Sequence, residues 1–218
     1  ENFKFNNIEM GYLGNGKVPI SLGDLEGNEF TITIRNLNNK EIEKIKNLEN
    51  KKLKIPNLYG PQRFGKNNHL VGKAIIKRDF RGAVEFILRN DGFVEDKIKN
   101  YLAKNNNNYI EALRLIPLKT RKLFVHAYQS FLFNKIVKKL LKNDSKNRIK
   151  SLKIPIIGFG FELKSIKNKD LGNIFKKTLE GQKISPRDFI ISQIPELTSE
   201  GSLRDLFFEL KDLKIIEI

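Results

Sequence analysis

Cysteine is absent from this sequence and histidine occurs only twice, which restricts the metal chemistry available to the chain. Without cysteine, the protein can form neither disulfides nor thiolate metal sites. The two histidines, His69 and His126, lie far apart along the sequence. A site in which histidines hold a metal ion is therefore not expected.

Long apolar segments are also absent. No run reaches the ~18 residues of a membrane-spanning helix, and no secretory signal peptide is visible at the start of the chain. We therefore expect a cytoplasmic protein that makes no membrane contact. The chain begins at Glu1 rather than Met, and strand-like patterns extend to both ends, so we expect it to be a segment of a longer protein.

Acidic residues are few relative to basic ones. There are 25 Asp and Glu against 41 Lys and Arg, which gives a formal net charge of +16. A surplus of this size favours a polyanionic partner such as nucleic acid, because binding to phosphates releases counterions. A lysine-rich proteome would give the same composition without such a partner, and the composition alone leaves both explanations open.

Apolar residues make up 39% of the chain and include 16 Phe, enough for a hydrophobic core in one or two domains. Alternation predicts a half-buried strand over residues 29–35, and a hairpin of residues 203–210 and 213–218 that turns at 211–212. Asp79 is expected to cap a helix that ends at Leu88. Helical periodicity predicts further helices over residues 39–48, 68–77, 92–104 and 170–181.

Residues 119–142 form the strongest predicted helix. Apolar residues occupy most of its faces, so it should lie at the centre of the core. His126, Ser130 and Asn134 recur every four residues as one polar stripe, and Gln129 lies on a neighbouring face. Buried polar groups require partners. Either these side chains bind loop backbone and lock two parts of the fold together, or one end of the stripe supports a functional loop.

Residues 57–65, with the sequence Asn-Leu-Tyr-Gly-Pro-Gln-Arg-Phe-Gly, form the most informative segment, referred to below as the signature segment. Its Gly and Pro residues argue against a helix, and it lacks the alternation of a strand. Such a segment is suited to presenting its side chains, because aromatic rings stack on bases, amides bind base edges and arginine binds phosphate. The alternative is a Gly/Pro turn whose aromatic rings cap a core.

The signature segment resembles the N-x-[FY]-G-x-Q-R-F-G motif of the TruD family of tRNA pseudouridine synthases, in which seven of the nine positions are specified. Three further blocks follow the order of that family. Residues 22–30 are similar to L-G-D-x-x-G-N-x-F, residues 127–134 to A-x-Q-S-x-L-F-N, and residues 194–201 to a segment of the archaeal members.

The resemblance implies an α+β fold and a middle portion of such an enzyme. Residues 1–66 would form part of the antiparallel sheet of the catalytic domain. Residues 67–205 would form a mixed α/β insertion domain around a central long helix, and residues 206–218 a strand that returns to the catalytic domain. The implied activity is the isomerisation of a uridine in tRNA, position 13 in the family, to pseudouridine. The enzyme is expected to be a monomer that uses neither a cofactor nor a metal.

Carried over residue by residue, the resemblance assigns substrate contacts to the signature segment. Asn57 matches the family's active-site Asn, and Tyr59 matches the aromatic residue that lies against the target base. Gln62, Arg63 and Phe64 match the rest of the motif and are expected to shape the loop or bind RNA backbone. Pro61 departs from the family, which often has Glu at this position. The residues expected to support the segment are His126, Gln129, Ser130 and Asn134.

The family's nucleophilic Asp has no counterpart in the chain. It lies upstream of the L-G-D block in the family, and residues 1–21 contain no Asp, so we expect it before Glu1 and predict no catalytic residue here. A non-catalytic RNA-binding module that keeps the fold without the chemistry is the alternative function. A basic cluster fits either a phosphate track or an ordinary solvated helix surface; it consists of Lys73, Lys77, Arg78 and Arg81.

Overall fold

A computed structural model describes residues 2–5, 8–12, 14–16, 19, 21, 31–49, 51–143, 152–210 and 213–216. The chain divides into two compact units, Glu1–Asn47 and Leu48–Ile218. The L-G-D block at residues 22–30 lies outside the described residues. Within the part that is described, no helix is both long and apolar enough to span a bilayer.

The described part of the first unit contains a strand pair and a helix. Strands β1 (Asn2–Phe5) and β2 (Ile8–Gly11) pair antiparallel, and they account for the strand-like pattern at the start of the chain. Helix α1 (Asn39–Lys46) begins after Asn38. The Asn38 side chain accepts a hydrogen bond from the Glu41 backbone N–H, and Glu41 accepts one from the Asn38 N–H. This reciprocal capping fixes the start of the helix.

The strand predicted over residues 29–35 is not found in its described part. Residues 31–35 adopt no strand, and Ile32 and Ile34 are 77% and 60% exposed. Among the described residues none pairs with this stretch, and a strand without a partner cannot bury one of its faces.

The second unit is mainly helical. Strand β3 (Leu53–Pro56) leads to a one-turn helix α2 (Pro61–Phe64), then α3 (Asn68–Ile76), α4 (Phe80–Ile87), α5 (Phe93–Lys104), α6 (Tyr109–Arg114) and the long α7 (Leu118–Asn143). Strand β4 (Lys153–Ile156), α8 (Lys169–Gln182), β5 (Ser202–Asp205) and β6 (Phe207–Leu210) follow. The helices predicted from periodicity are confirmed, and Asp79 caps α4 by accepting the Gly82 N–H at 2.9 Å.

Helix α7 lies at the centre of this unit, as predicted. Its residues Tyr128, Leu132, Phe133 and Ile136 are almost completely buried. Helix α3 packs closely against it, because Gly72 lets the two backbones approach. A Cβ at position 72 would lie 2.0 Å from the carbonyl oxygen of Phe124. The absence of a side chain at this one position therefore sets the spacing of the two helices.

The strands of this unit form two antiparallel pairs, β3 with β6 and β4 with β5. Only Leu206 separates β5 from β6, and it is fully buried. Its N–H donates to Leu152 O and its carbonyl accepts from the Asn57 N–H, both at 2.8 Å. The hairpin predicted at residues 211–212 is wrong, because residues 203–210 divide between two pairs and residues 213–216 form no strand. Residues 211–212 and 217–218 lie outside the described residues.

Candidate nucleic-acid interface

The signature segment leaves β3 and ends in one turn of helix. Pro61 occupies the first helical position of α2, where its missing N–H costs no hydrogen bond. Gly65 ends the turn with φ at +48°, a backbone conformation that favours glycine. The prediction that no part of this segment is helical is therefore wrong for residues 61–64. The start of this helical turn also explains why proline is accommodated at position 61, where the family often has Glu.

Asn134 holds the segment to α7. Its side-chain amide accepts the Tyr59 N–H at 2.9 Å and donates to the Tyr59 carbonyl at 2.9 Å. One amide side chain thus satisfies both backbone groups of Tyr59, as a neighbouring strand would. The structure places this end of the polar stripe against the signature segment.

Arg204, a residue that the sequence patterns did not single out, binds Asn57. Its guanidinium donates to the Asn57 side-chain oxygen at 2.5 Å and to the Asn57 carbonyl at 3.1 Å. The Asn57 amide nitrogen donates in turn to the Asp205 carbonyl at 3.1 Å. Both polar atoms of the Asn57 side chain therefore have protein partners, and its orientation is fixed.

Tyr59 lies among cations and another ring. The Arg204 guanidinium lies 4.1 Å from the centre of the Tyr59 ring, and that of Arg63 lies 5.3 Å from it. Phe133 meets the ring edge-on at 5.6 Å. Cations over an aromatic face are attracted by its quadrupole. A base that stacks on Tyr59 would have to share or displace one of these guanidinium contacts.

The segment is neither sealed in the core nor freely exposed. Asn57, Tyr59, Arg63 and Phe64 are half-buried, and Gln62 is exposed. Leu58 and Tyr59 pack against the hydrophobic core. Both explanations given from the sequence therefore apply in part, since the rings pack on the core while one face of the segment stays accessible.

The remaining polar residues of α7 have different partners. Gln129 donates to the carbonyls of Ile157 and Glu200 at 2.9 and 3.0 Å, and accepts from the Ser199 hydroxyl. It therefore locks loop backbone to the helix. The Ser130 hydroxyl donates to the carbonyl of His126 in its own helix at 2.8 Å. Neither side chain hydrogen-bonds to the signature segment.

His126 is exposed, and its electrostatic neighbours include the signature segment. Partial desolvation lowers its pKa, and the positive charges of Arg63 and Lys122 lower it further. The imidazole is consequently neutral at physiological pH. A neutral imidazole can accept or donate a hydrogen bond but adds no positive charge to that of Arg63.

Phe64, near the end of the signature segment, begins a series of contacts between aromatic rings. Phe64 meets His69 edge-on at 5.7 Å, and His69 stacks on Phe131 at 5.1 Å. Burial lowers the pKa of His69, and its Nδ1 atom is buried without a hydrogen-bond partner among the described residues. Helices α3 and α7 thus meet the signature segment through aromatic contacts.

Two members of the predicted basic cluster have structural partners. The Arg78 guanidinium donates to the carbonyls of Ile76, Asp188 and Ile190. Arg78 itself has a left-handed backbone conformation, with φ at +62°, and its side chain ties this turn to the loop at residues 188–190. Arg81 pairs with Glu85 on the exposed side of α4. The described residues contain no group of three or more His, Cys, Asp or Glu side chains arranged to hold a metal ion.

A sequence model of the family described as tRNA pseudouridine synthase D (TruD) matches residues 1–97 and 93–151 of the chain. The chain belongs to the TruD family. The resemblance carried by the signature segment is therefore confirmed by a match that extends well beyond that segment.

Individual TruD relatives match most of the chain at modest identity. A Methanopyrus kandleri protein described as a probable tRNA pseudouridine synthase D is 27% identical over 93% of this chain and 61% of its own length. A Methanocaldococcus jannaschii relative with a similar description is 34% identical over 62% of this chain and 41% of its own length. The chain thus spans less than two thirds of the length of these curated relatives.

A solved structure described as a tRNA pseudouridine synthase D confirms the fold. The crystal structure of a Methanosarcina mazei TruD protein matches with a TM-score of 0.72 at 24% sequence identity. The match covers 94% of this chain and 64% of that chain. The α+β fold class predicted from the sequence is therefore confirmed.

Proposed function

We propose that this protein, at full length, is a tRNA pseudouridine synthase that isomerises a uridine, position 13 in the family, as a cytoplasmic monomer. The observation that carries the proposal is the signature segment. It belongs to a TruD chain, and its fixed Asn57, its half-buried Tyr59 and two guanidiniums lie together. We propose further that residues 67–205 form the inserted domain between catalytic parts at 1–66 and 206–218.

The chemistry balances without a cofactor or a redox partner. The N1–C1′ bond of uridine breaks, the base turns, and a C5–C1′ bond forms, while C5 loses a proton and N1 gains one. Such a reaction needs a carboxylate that stays ionised and a base that is held outside its stack. The guanidiniums of Arg63 and Arg204 can keep a neighbouring carboxylate ionised, and Tyr59 and Asn57 can hold the base.

The direct test is to incubate the full-length protein with tRNA transcripts and to measure pseudouridine by mass analysis. Pseudouridine at one position is the expected result. Tyr59→Ala should then lower the single-turnover rate more than tRNA affinity, because stacking on the moving base strengthens towards the transition state. Arg81→Ala, which changes an exposed ion pair on α4, is the control and should leave both values unchanged.

The second candidate function is a non-catalytic RNA-binding module. The observation that motivates it is the absence of Asp from residues 1–21, which precede the L-G-D block. In the same assay, tight tRNA binding by the full-length protein without any pseudouridine would select this candidate. Loss of both binding and product would reject the two candidates together.

A further inference from the structure

The strongest unassigned feature is a basic and aromatic surface on α3 and α7, next to the signature segment. It comprises His69 and Lys73 on α3, Lys77 at the C-terminal cap of α3, and Phe131 and Lys135 on α7, and is called the α3–α7 basic surface below. His69 and Lys73 share one face of α3, and Lys77 follows four positions later where the helix ends. On α7, Lys135 follows Phe131 by four, and its ammonium lies 5.8 Å from the centre of the Phe131 ring.

The two helices bring these residues to one place. His69 stacks on Phe131 across the helix interface. Helical side chains lean towards the N-terminus, so Lys73 extends towards His69 and Lys135 towards Phe131. Lys135 therefore lies over the Phe131 ring, and Lys73 lies one turn from His69 on the same face of α3. Desolvation lowers the pKa of Lys73, and the positive charges of Lys77 and Lys135 lower it further.

These positive charges are not neutralised within the described part of the protein. No ion pair there involves Lys73, Lys77 or Lys135, whereas Arg81, Lys99 and Arg114 all have carboxylate partners. Lys73 and Lys135 are half-buried and Lys77 is exposed. Like charges held together without a counterion raise the free energy of the folded protein, and an anion bound across them would relieve that repulsion.

The surface is continuous with the signature segment. Arg63 lies beside Tyr59, and the next residue, Phe64, contacts His69. A chain of contacts therefore runs from Tyr59 through α2 to the His69–Phe131 pair and its lysines. Alternating rings and cations suit a nucleic-acid strand, because bases stack on rings while phosphates bind cations. An acidic peptide would gain less from the rings.

We propose that the α3–α7 basic surface binds the RNA backbone next to the nucleotide held by the signature segment, with Lys73 and Lys135 each contacting a phosphate. The proposal rests on the proposed function, since it assigns a path to the same RNA. It replaces the predicted cluster of four cations. Arg78 and Arg81 leave that cluster, and Lys135 joins Lys73 and Lys77.

The test is the salt dependence of tRNA binding by the full-length protein. Each phosphate contact contributes a slope of about 0.7 to 0.9 to a plot of log Kd against log salt concentration. Lys73→Gln/Lys135→Gln should therefore lower the slope by about 1.4 to 1.8. The control is Lys176→Gln/Lys177→Gln, which removes the same charge from two exposed lysines of α8 and should change the slope little. A charge-preserving variant, Lys73→Arg/Lys135→Arg, should retain the wild-type slope.

The outcomes separate this proposal from the proposed function. A fall in slope confined to the α3–α7 pair supports it. Equal slopes in the two glutamine variants, with intact thermal unfolding, would overturn it while leaving the synthase proposal in place. A wild-type protein that binds no tRNA at any salt concentration would overturn both.

Discussion

At the scale of single residues, the candidate site depends on side chains that come from distant parts of the chain. Asn57 and Tyr59 were visible in the sequence as part of a motif. Arg204 was not, because it lies 147 positions from Asn57 and no local pattern marks it. Asn134 was recognised as a polar residue in need of a partner, but only the fold shows that the partner is the Tyr59 backbone.

Arg204 is expected to act by positioning Asn57 and Tyr59. Arg204→Lys keeps the charge and loses the planar fork that reaches both oxygens of Asn57. We expect the single-turnover rate of the full-length protein to fall about tenfold to a hundredfold, because small misplacements near reacting atoms are costly. The Kd for tRNA should change less than about twofold, since the positive charge is kept and the side chain acts on Asn57 rather than on the RNA.

Arg81→Lys is the matched control for this substitution, because Arg81 is exposed and binds only a carboxylate on its own helix. It should leave rate and affinity as they are. Equal losses of rate and affinity in Arg204→Lys would indicate that Arg204 binds RNA rather than positioning the segment.

Asn134 is expected to contribute stability through the Tyr59 backbone. Asn134→Ala leaves a half-buried N–H and carbonyl without their partner, which should lower the free energy of unfolding by about 1 to 3 kcal/mol. Urea denaturation measures this loss. Asn105→Ala, which removes one exposed bond to the Tyr101 carbonyl, should cost less than about 0.5 kcal/mol. A loss in Asn134→Ala no larger than in Asn105→Ala would show that water replaces the bond to Tyr59.

At the scale of elements, helices were predictable and strand partners were not. Helix α8 follows from apolar residues at helical spacing and from the Asn168 cap, both of which are local. The partners of β5 and β6 lie far back in the chain, and residues 203–210 read as one strand because the buried Leu206 continues the apolar pattern. Alternation indicates an extended segment without indicating what pairs with it.

Helices α3 and α7 depend on Gly72 for their close packing. In Gly72→Ala, the new Cβ would clash with the Phe124 carbonyl, so the helices must move apart. We expect the free energy of unfolding to fall by about 1 to 3 kcal/mol, the usual cost of overpacking a core. Gly172→Ala is the control, because nothing lies within 4 Å of a Cβ there. It should stabilise α8 by about 0.5 to 1 kcal/mol. A neutral Gly72→Ala would contradict the close approach.

At the scale of the whole molecule, pH acts on stability through a partly buried ion pair. The half-buried Glu196 carboxylate accepts a hydrogen bond from Arg121 at 2.7 Å, and Arg114 lies nearby at 3.7 Å. Desolvation alone would raise the pKa of Glu196. Its own backbone N–H, the Arg121 hydrogen bond and the charges of Arg121 and Arg114 together outweigh this and lower the pKa below its ordinary value of 4.5.

A lowered carboxyl pKa in the folded state means that Glu196 stabilises the protein above pH 4.5, and that this contribution is lost as pH falls through the folded-state pKa. Thermal unfolding of the wild type and Glu196→Gln at a series of pH values measures it. The difference in Tm should be greatest at neutral pH and should shrink below pH 4.5. The lowered pKa values of His69 and His126 also cost stability in acid, but they affect both proteins equally. A pH-independent difference would contradict the ion pair.

The pairing of β3 with β6 has a consequence for how this chain can be rearranged. The backbone leaves at Pro56 and comes back at Phe207, and these two residues face each other in one ladder. A stretch whose two ends lie side by side is tolerated as an insertion, because the host chain continues with little displacement. Residues 57–206 therefore leave and rejoin the chain at adjacent points, so the length of this stretch can change without disturbing the β3–β6 ladder.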